Sequence, residues 1–310
     1  MLITVGICTW NRSALLDQTL VTLRDVRVPP GVEWEVLVIN NNCTDDTDAV
    51  IERHRAHLPL TRLFEKEPGL SSARNCGLDH ARGDLVLWTD DDVKVSPGWL
   101  EAAAEGAERF PEAAGFAGPI RPWFPVKPDP QLMQAFPALK NGFCGLDLGE
   151  SPREMTGDEF AYGANMLYRS SAVAGLRFNP ALGPKGAQHG IWDDVEYQKR
   201  IRAGGGTFAW LPGMAVEHYV DPSRMTLQYL TTYYYGAGQS DAKRDGVPSG
   251  PRLFGTPRYL LRMAAERYVK YCANRLRGRQ MMALEHLRSY HYYRGVIGGC
   301  RAIAKAEAHG

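Results

Sequence analysis

No apolar run in this chain is long enough to cross a bilayer, which excludes a helical membrane span from the sequence. No two cysteines are spaced C-x-x-C; the six stand apart at 8, 43, 76, 144, 272 and 300. That scatter gives no short-loop disulfide framework, and it fits free thiols in a reducing compartment. The first strand is not followed by G-x-G-x-x-G, and G-x-x-x-x-G-K-[ST] occurs nowhere, which disfavours a nicotinamide enzyme and a P-loop nucleoside triphosphatase. The N-terminus, "MLITVGICTW", reads as a strand without the basic stretch and cleavage site of a secretory signal. The expected location is therefore the cytoplasm, where the N-x-[ST] matches at Asn11 and Asn42 would stay idle. A net charge of only +1, with no recognition motif, points to no nucleic-acid partner.

That small net charge hides an asymmetry. Residues 251–310 carry twelve Lys or Arg against three Glu, a net +9, so the first 250 residues carry −8. A basic C-terminal region on an acidic body suggests either a solvated helical face or contact with a membrane surface or a second subunit. The texture shifts with the charge. From about Pro222 the pattern is helical and tyrosine-rich, so the expected division is 1–221 for a catalytic domain and 222–310 for a helical extension.

The first hundred residues alternate regularly. "LITVGIC" (2–8) and "WEVLVIN" (34–40) have the continuous apolar character of parallel strands covered on both faces. Between them Leu15, Leu16, Leu20 and Leu23 mark one helical face, closed by the Pro29–Gly31 turn. The segment 41–58 reads as a helix with Thr44 or Asp45 near its start, 62–67 as a short strand, 70–82 as a helix and 84–91 as a fourth strand. Ser96 and Pro97 supply an N-cap and first-turn pair for another helix. This βαβαβαβ run predicts an α/β fold with a doubly wound, mostly parallel sheet, binding ligands at the carboxyl ends of its strands. Farther on, 117–160 reads as irregular substrate-facing loops, 160–170 as a strand, 193–206 as a helix stopped by glycines, and 207–220 as a strand broken at Pro212–Gly213.

Three polar clusters follow predicted strand ends: Thr9 to Arg12, Asn40 to Asn42, and Asp90 to Asp92. Adjacent carboxylates are costly to bury unless a cation joins them, so the three aspartates either sit in water or await a positive partner. Hard divalent ions prefer carboxylate oxygens, and in an extended segment Asp90 and Asp92 face the same side. Arg74 falls in the first turns of a helix whose N-terminus favours anions. Asp193 and Asp194 open the later helix beside Trp192, and Asp193 with Glu196 resembles an N-cap pair. His218 stands alone on a strand, either as a satisfied core residue or as a metal ligand.

The order of these segments is more specific than any one of them. "TWNR", "VINNNCTDDT", "GLSSARNCGL", "LVLWTDDDV", "YGANMLYRSSAV", "LGPKG", "WDDVEYQKRIRAGG" and "AVEHYV" succeed one another as in the family 2 glycosyltransferases, which the chain resembles over roughly residues 1–240. The resemblance implies a GT-A fold, Rossmann-like, with a C-terminal helical extension. It also implies an inverting enzyme that moves a sugar from a nucleoside-diphosphate sugar, UDP favoured, to an acceptor hydroxyl with Mg²⁺ or Mn²⁺. By the same resemblance Thr9, Asn11, Arg12, Asn40, Asn42, Arg74, Asp90 and Asp91 serve the nucleotide and donor, and Asp92 and His218 the metal. Asp194 would then be the general base, with Tyr162, Asn165, Trp192 and Asp193 lining the sugar and acceptor, and Leu182–Gly186 a flap over the donor. Asn40 departs from the family's usual aspartate, and Asp193 from its usual glutamate. Two other readings are a catalytically silent sugar-nucleotide-binding protein and a nucleotidyltransferase on a similar sheet.

Overall fold

The computed structural model describes residues 1–183 and 193–307. In chain order the elements begin with β1 (Leu2–Thr9), α1 (Ser13–Leu23), β2 (Glu33–Asn40), α2 (Thr47–His54), β3 (Leu60–Phe64), α3 (Leu70–His80) and β4 (Leu85–Asp90). Then come β5 (Val93–Val95), α4 (Trp99–Arg109), β6 (Ala113–Ala117), β7 (Ile120–Trp123), α5 (Pro130–Gln134) and α6 (Phe136–Leu139). After β8 (Arg153–Glu154), β9 (Met166–Arg169) and α7 (Ser170–Val173) follow α8 (Asp193–Ala203), β10 (Thr207–Trp210) and β11 (Val216–Tyr219). The chain ends in α9 (Leu227–Asp245), a small hairpin of β12 (Arg252–Leu253) and β13 (Thr256–Pro257), α10 (Arg258–Leu276) and α11 (Gln280–Glu307).

These elements form two compact units, Met1–Pro122 with Leu146–Tyr219, and Trp123–Gly145 with Val220–Gly310. The first holds an eight-stranded sheet in the order β3-β2-β1-β4-β9-β6-β10-β8. β1, β2, β3 and β4 run parallel, as do β6 and β10, while β9 is antiparallel to β4 and β6. The expected mostly parallel α/β sheet is therefore present. Its inner strands are apolar on both faces because helices cover both: Ile3, Val5, Ile7, Val36 and Val38 are fully buried on one face, and Leu37 and Ile39 are buried on the other. Gly6 lets the Trp88 indole lie flat on β1, since a Cβ there would come within 2.5 Å of the ring. At the start of the strands the buried Glu35 accepts from Thr4 Oγ1 (2.7 Å) and from Arg82 N (3.0 Å) and Nε (2.8 Å), so the carboxylate ties β1, β2 and the entry to β4 together.

The second unit has its own core, in which Leu132, Leu139, Phe143, Leu230, Leu284 and Leu287 pack together. α9 and α11 cross closely: a Cβ on Gly238 would meet the Tyr292 carbonyl at 2.1 Å, and one on Gly295 the Tyr235 carbonyl at 2.0 Å.

Several element boundaries differ from the sequence reading. The third strand lies at Leu60–Phe64 rather than 62–67, because Asn41 and Asn42 take the carbonyls of Glu65, Lys66 and Glu67. α2 starts at Thr47, since residues 41–46 are spent on turns. α4 starts at Trp99 with Gly98 in the cap position; Ser96 and Pro97 form the turn that leads out of β5. Of the strand expected over 160–170 only Met166–Arg169 is extended, and Gly163–Asn165 is a tight helical turn. The stretch read as loops over 117–160 contains β6's end, β7, two short helices and β8, and its part from Trp123 to Gly145 groups with the C-terminal helices.

Candidate active site

The parallel strands end together, and the polar residues at their tips define one edge of the first unit. Asn40, at the end of β2, is buried; its amide donates to Asp48 (2.7 Å) and its oxygen accepts from Cys43 N (2.8 Å). Asn11 Oδ1 accepts from Thr44 N (2.7 Å), which fastens the loop after β1 to the loop after β2. Asn11 and Asn42 both have positive φ, +53° and +66°, a region asparagine enters more readily than most residues. Asp45, expected to start α2, accepts from Thr47 N (3.2 Å) and also from Ser13 N (2.8 Å), so it caps α1 as well. The asparagines thus hold the rim in shape, and Trp10, 43% exposed, stands beside Thr9 at the tip of β1.

Beyond β4 the chain turns at Asp91 and Asp92 into β5, which pairs antiparallel with β11, His218 opposite Val93. This register brings an imidazole from far along the chain beside the aspartates. His218 Nε2 lies 3.4 Å from Asp92 Oδ1 and 3.6 Å from Asp90 Oδ2. Its Nδ1 sits 2.8 Å from the Tyr219 carbonyl, an acceptor only, so Nδ1 carries a proton. Nε2 then confronts two carboxylate oxygens, and a lone pair there is repelled unless a proton or a metal ion intervenes. Asp92 Oδ1 is buried without a hydrogen-bond partner. One ligand atom from each of Asp90, Asp92 and His218 lies within 4.8 Å of the others. Two carboxylates and an imidazole whose far nitrogen is fixed by a carbonyl suit a divalent cation. Asp91 points elsewhere: buried and beside Asp92, its carboxyl is pushed up to about 7 despite Arg12, whose guanidinium lies 3.2 Å from Asp91 and 2.9 Å from Asp92.

Arg74, on α3, is 3% exposed and paired with Asp193 at 2.5 Å, with Asp90 at 3.9 Å. Its guanidinium also lies over the Phe178 ring, 5.3 Å from the centroid. An arginine buried and paired on two sides organises acids; it is not presented to solvent as the expected phosphate clamp would be. Asp193 accordingly serves Arg74 instead of an N-cap, and Glu196 pairs with Arg200 (2.8 Å). Asp194 accepts from Gly163 N (2.9 Å) and Val195 N (2.8 Å) at the start of α8. Burial, then the neighbouring Asp193, push its carboxyl up to about 6. Asn165 is fully buried; its amide is consumed by the Trp99 indole (3.0 Å) and the carbonyls of Pro119 (3.1 Å) and Met214 (2.6 Å). It fixes the wall and offers nothing to a ligand. Tyr162 is half-buried immediately before that turn. Leu182 accepts from Ser71 Oγ (3.1 Å); Trp192 and residues 184–186 lie outside the described residues.

The profile of glycosyl transferase family 2 matches residues 4–178, more than half of the chain. The chain belongs to that family. It is a glycosyltransferase of GT-A fold, as the order of its motifs implied. The succinoglycan biosynthesis protein ExoM of Rhizobium meliloti is 30% identical over 246 residues, 78% of this chain and 74% of that protein. A validoxylamine A glucosyltransferase of Streptomyces hygroscopicus subsp. limoneus is 31% identical over 133 residues, 42% of this chain and 29% of that enzyme. Among solved structures, the mannosyltransferase PcManGT from Pyrobaculum calidifontis, in complex with GDP-Man and Mn²⁺, aligns with TM-score 0.55 and 18% identity. That alignment covers 99% of this chain and 75% of that one. S. aureus TarS 1–349 in complex with UDP aligns with TM-score 0.56 and 16% identity over 99% of this chain and 92% of its own.

Within this glycosyltransferase the sequence reading missed Asn41, whose amide spans the Glu65 and Glu67 carbonyls and whose oxygen receives Gly69 N at 2.8 Å. It missed Asp48 too, which joins Asn40 to Arg62 (2.8 Å). The run Asn40–Asn42 was a signal for the first. Nothing local marks the second, because its partners, Asn40 and Arg62, lie on two separate strands while Asp48 lies on α2.

Proposed function

We propose that the enzyme transfers a sugar from a UDP-sugar to an acceptor hydroxyl with inversion at the anomeric carbon, Asp194 acting as general base and Mg²⁺ or Mn²⁺ as cofactor. The observation that carries this reading is the meeting of Asp90, Asp92 and the His218 imidazole at one strand edge. Asp92 and His218 would hold the cation, with Asp90 completing the acidic side or contacting the ribose or sugar. A divalent ion bound there supplies charge that stabilises the departing diphosphate. Thr9, Asn11, Asn40 and Asn42 shape the base and ribose end, and Arg12 neutralises Asp91 and Asp92 below it. Arg74 holds Asp193 and keeps a positive charge near Asp90, so three acids coexist in a small volume. Asp194, kept in orientation by two backbone N–H groups, takes the proton of the attacking hydroxyl. Tyr162, Asp193 and Trp192 are proposed to border the donor sugar and acceptor. Uridine is supported by family resemblance, and the neighbours described with UDP and with GDP-Man bracket the choice.

Calorimetric titration of UDP and GDP with Mn²⁺, alongside turnover of the matching donor sugars, tests the reading. UDP is expected to bind more tightly, and Asp92→Ala or His218→Ala to lose the Mn²⁺ dependence of binding. Asp194→Asn should retain nucleotide binding yet lose about a hundredfold or more in turnover. Preference for GDP would overturn the uridine assignment, and undiminished turnover in Asp194→Asn would remove its role as base. NMR of the product anomer decides inversion.

A further inference from the structure

The second unit carries a surface that the sugar-transfer reading does not use, and the inference drawn from it is independent of that reading. Between Arg252 and Arg279 there are eight Arg or Lys and one acid, Glu266, itself paired with Arg262. Along α10 the residues Arg258, Arg262, Val269 and Leu276 recur at intervals of four and seven, which puts them on one helical face. All four are exposed, Val269 by 65% and Leu276 by 89%, while Leu260, Ala264 and Asn274 on the opposite side are buried. A face that carries two arginines toward its N-terminal end and bare aliphatic side chains toward its C-terminal end is neither an ordinary solvated helix nor a packed one.

The hairpin just before α10 adds a second, separate feature. Its two-residue loop has positive φ at both positions, +50° at Phe254 and +73° at Gly255. Asn-Gly meets this geometry at least cost; a phenylalanine there is strained, and the ring is 80% exposed. Strain retained for an aromatic ring that touches little of its own protein marks a ring meant for something else.

We propose that Phe254, Val269 and Leu276, with Arg258 and Arg262, form a docking surface for an anionic lipid bilayer. Guanidinium groups would lie at the headgroups while the apolar side chains enter the interface. Charge complementarity selects this occupant: arginines flanked by exposed apolar side chains match anionic headgroups over acyl chains.

The test is co-sedimentation of the full chain with vesicles of phosphatidylglycerol and phosphatidylcholine in equal parts, and with phosphatidylcholine alone. The first should bind in a salt-sensitive manner and the second weakly or not at all. Phe254→Asn with Leu276→Ser should weaken binding about tenfold or more. Because asparagine suits the turn, Phe254→Asn alone should leave the thermal midpoint unchanged or raised, which separates lost docking from lost folding. No binding to the anionic vesicles, equal binding to both kinds, or binding indifferent to the double variant would each overturn the proposal. So would a dimer in free solution that Leu276→Ser dissociates, which would assign the face to a second copy of the chain.

Discussion

At the scale of single residues, the raised pKa of Asp194 ties chemistry to pH. On the proposed assignment of Asp194 as general base, it must be deprotonated to accept the acceptor's proton, and burial beside Asp193 raises its carboxyl to about 6. Turnover in kcat/KM should therefore fall as pH drops through about 6, with one acid limb that Asp194→Asn abolishes together with the activity. Glu35 makes a contrasting case far from the chemistry. Burial opposes its charge, but Arg82 and Thr4 outweigh it and hold the carboxyl below its ordinary 4.5. A depressed carboxylate stabilises the fold above that value and loses the contribution as pH falls through the lower folded pKa. Glu35→Ala, leaving Thr4 and Arg82 without their acceptor, should cost about 3 kcal/mol in chemical denaturation at neutral pH and show less acid sensitivity than the parent. At this scale the sequence exposed residue types but not their partners. The triple aspartate pointed to water or a cation, and two of its acids meet His218 in a group that could hold a metal ion. That Arg74 spends its charge on Asp193, or Asn165 its amide on Trp99, depends on contacts across 119 and 66 residues that no spacing reveals.

At the scale of elements, strands and helices were legible wherever apolar periodicity was long, and boundaries moved where side chains captured backbone groups. Asn41 and Asn42 shortened the chain's return after β3 in just this way. The short strand β5 was missed because Val93–Val95 has too few residues to show a period, although its pairing with β11 delivers His218. The fit of Trp88 over Gly6 yields a prediction for the central sheet. Gly6→Ala forces a methyl within 2.5 Å of the indole, and because Trp88 is 1% exposed the ring has little room to retreat. The substitution should destabilise by about 1–3 kcal/mol, read as a lower denaturation midpoint with unchanged slope. Paired with Trp88→Phe, the loss should shrink, since a smaller ring relieves the same contact.

At the scale of the whole molecule, the division of charge, −8 before residue 251 and +9 after it, accompanies a division of cores. The residues assigned to nucleotide and metal all belong to the first unit. Scanning calorimetry should resolve two unfolding transitions, and UDP with Mn²⁺ at about a hundred times Kd should raise only one, by about 2.7 kcal/mol. A single transition shifted as a whole would mean that the two cores melt together. Among the described residues no helix is long and apolar enough to cross a membrane.

The pairing of His218 with Val93 also sets an order of completion. The acids proposed to hold the cation lie on the early strand β4 and the turn after it, while the imidazole waits on β11, 126 residues beyond Asp92. During synthesis a growing chain holds the carboxylates long before it owns the ligand that finishes their cage. Any fragment ending short of Val216 could keep its nucleotide rim and still lack a working centre. On the proposed reading, the last strand of the first unit is the one that completes the cation site.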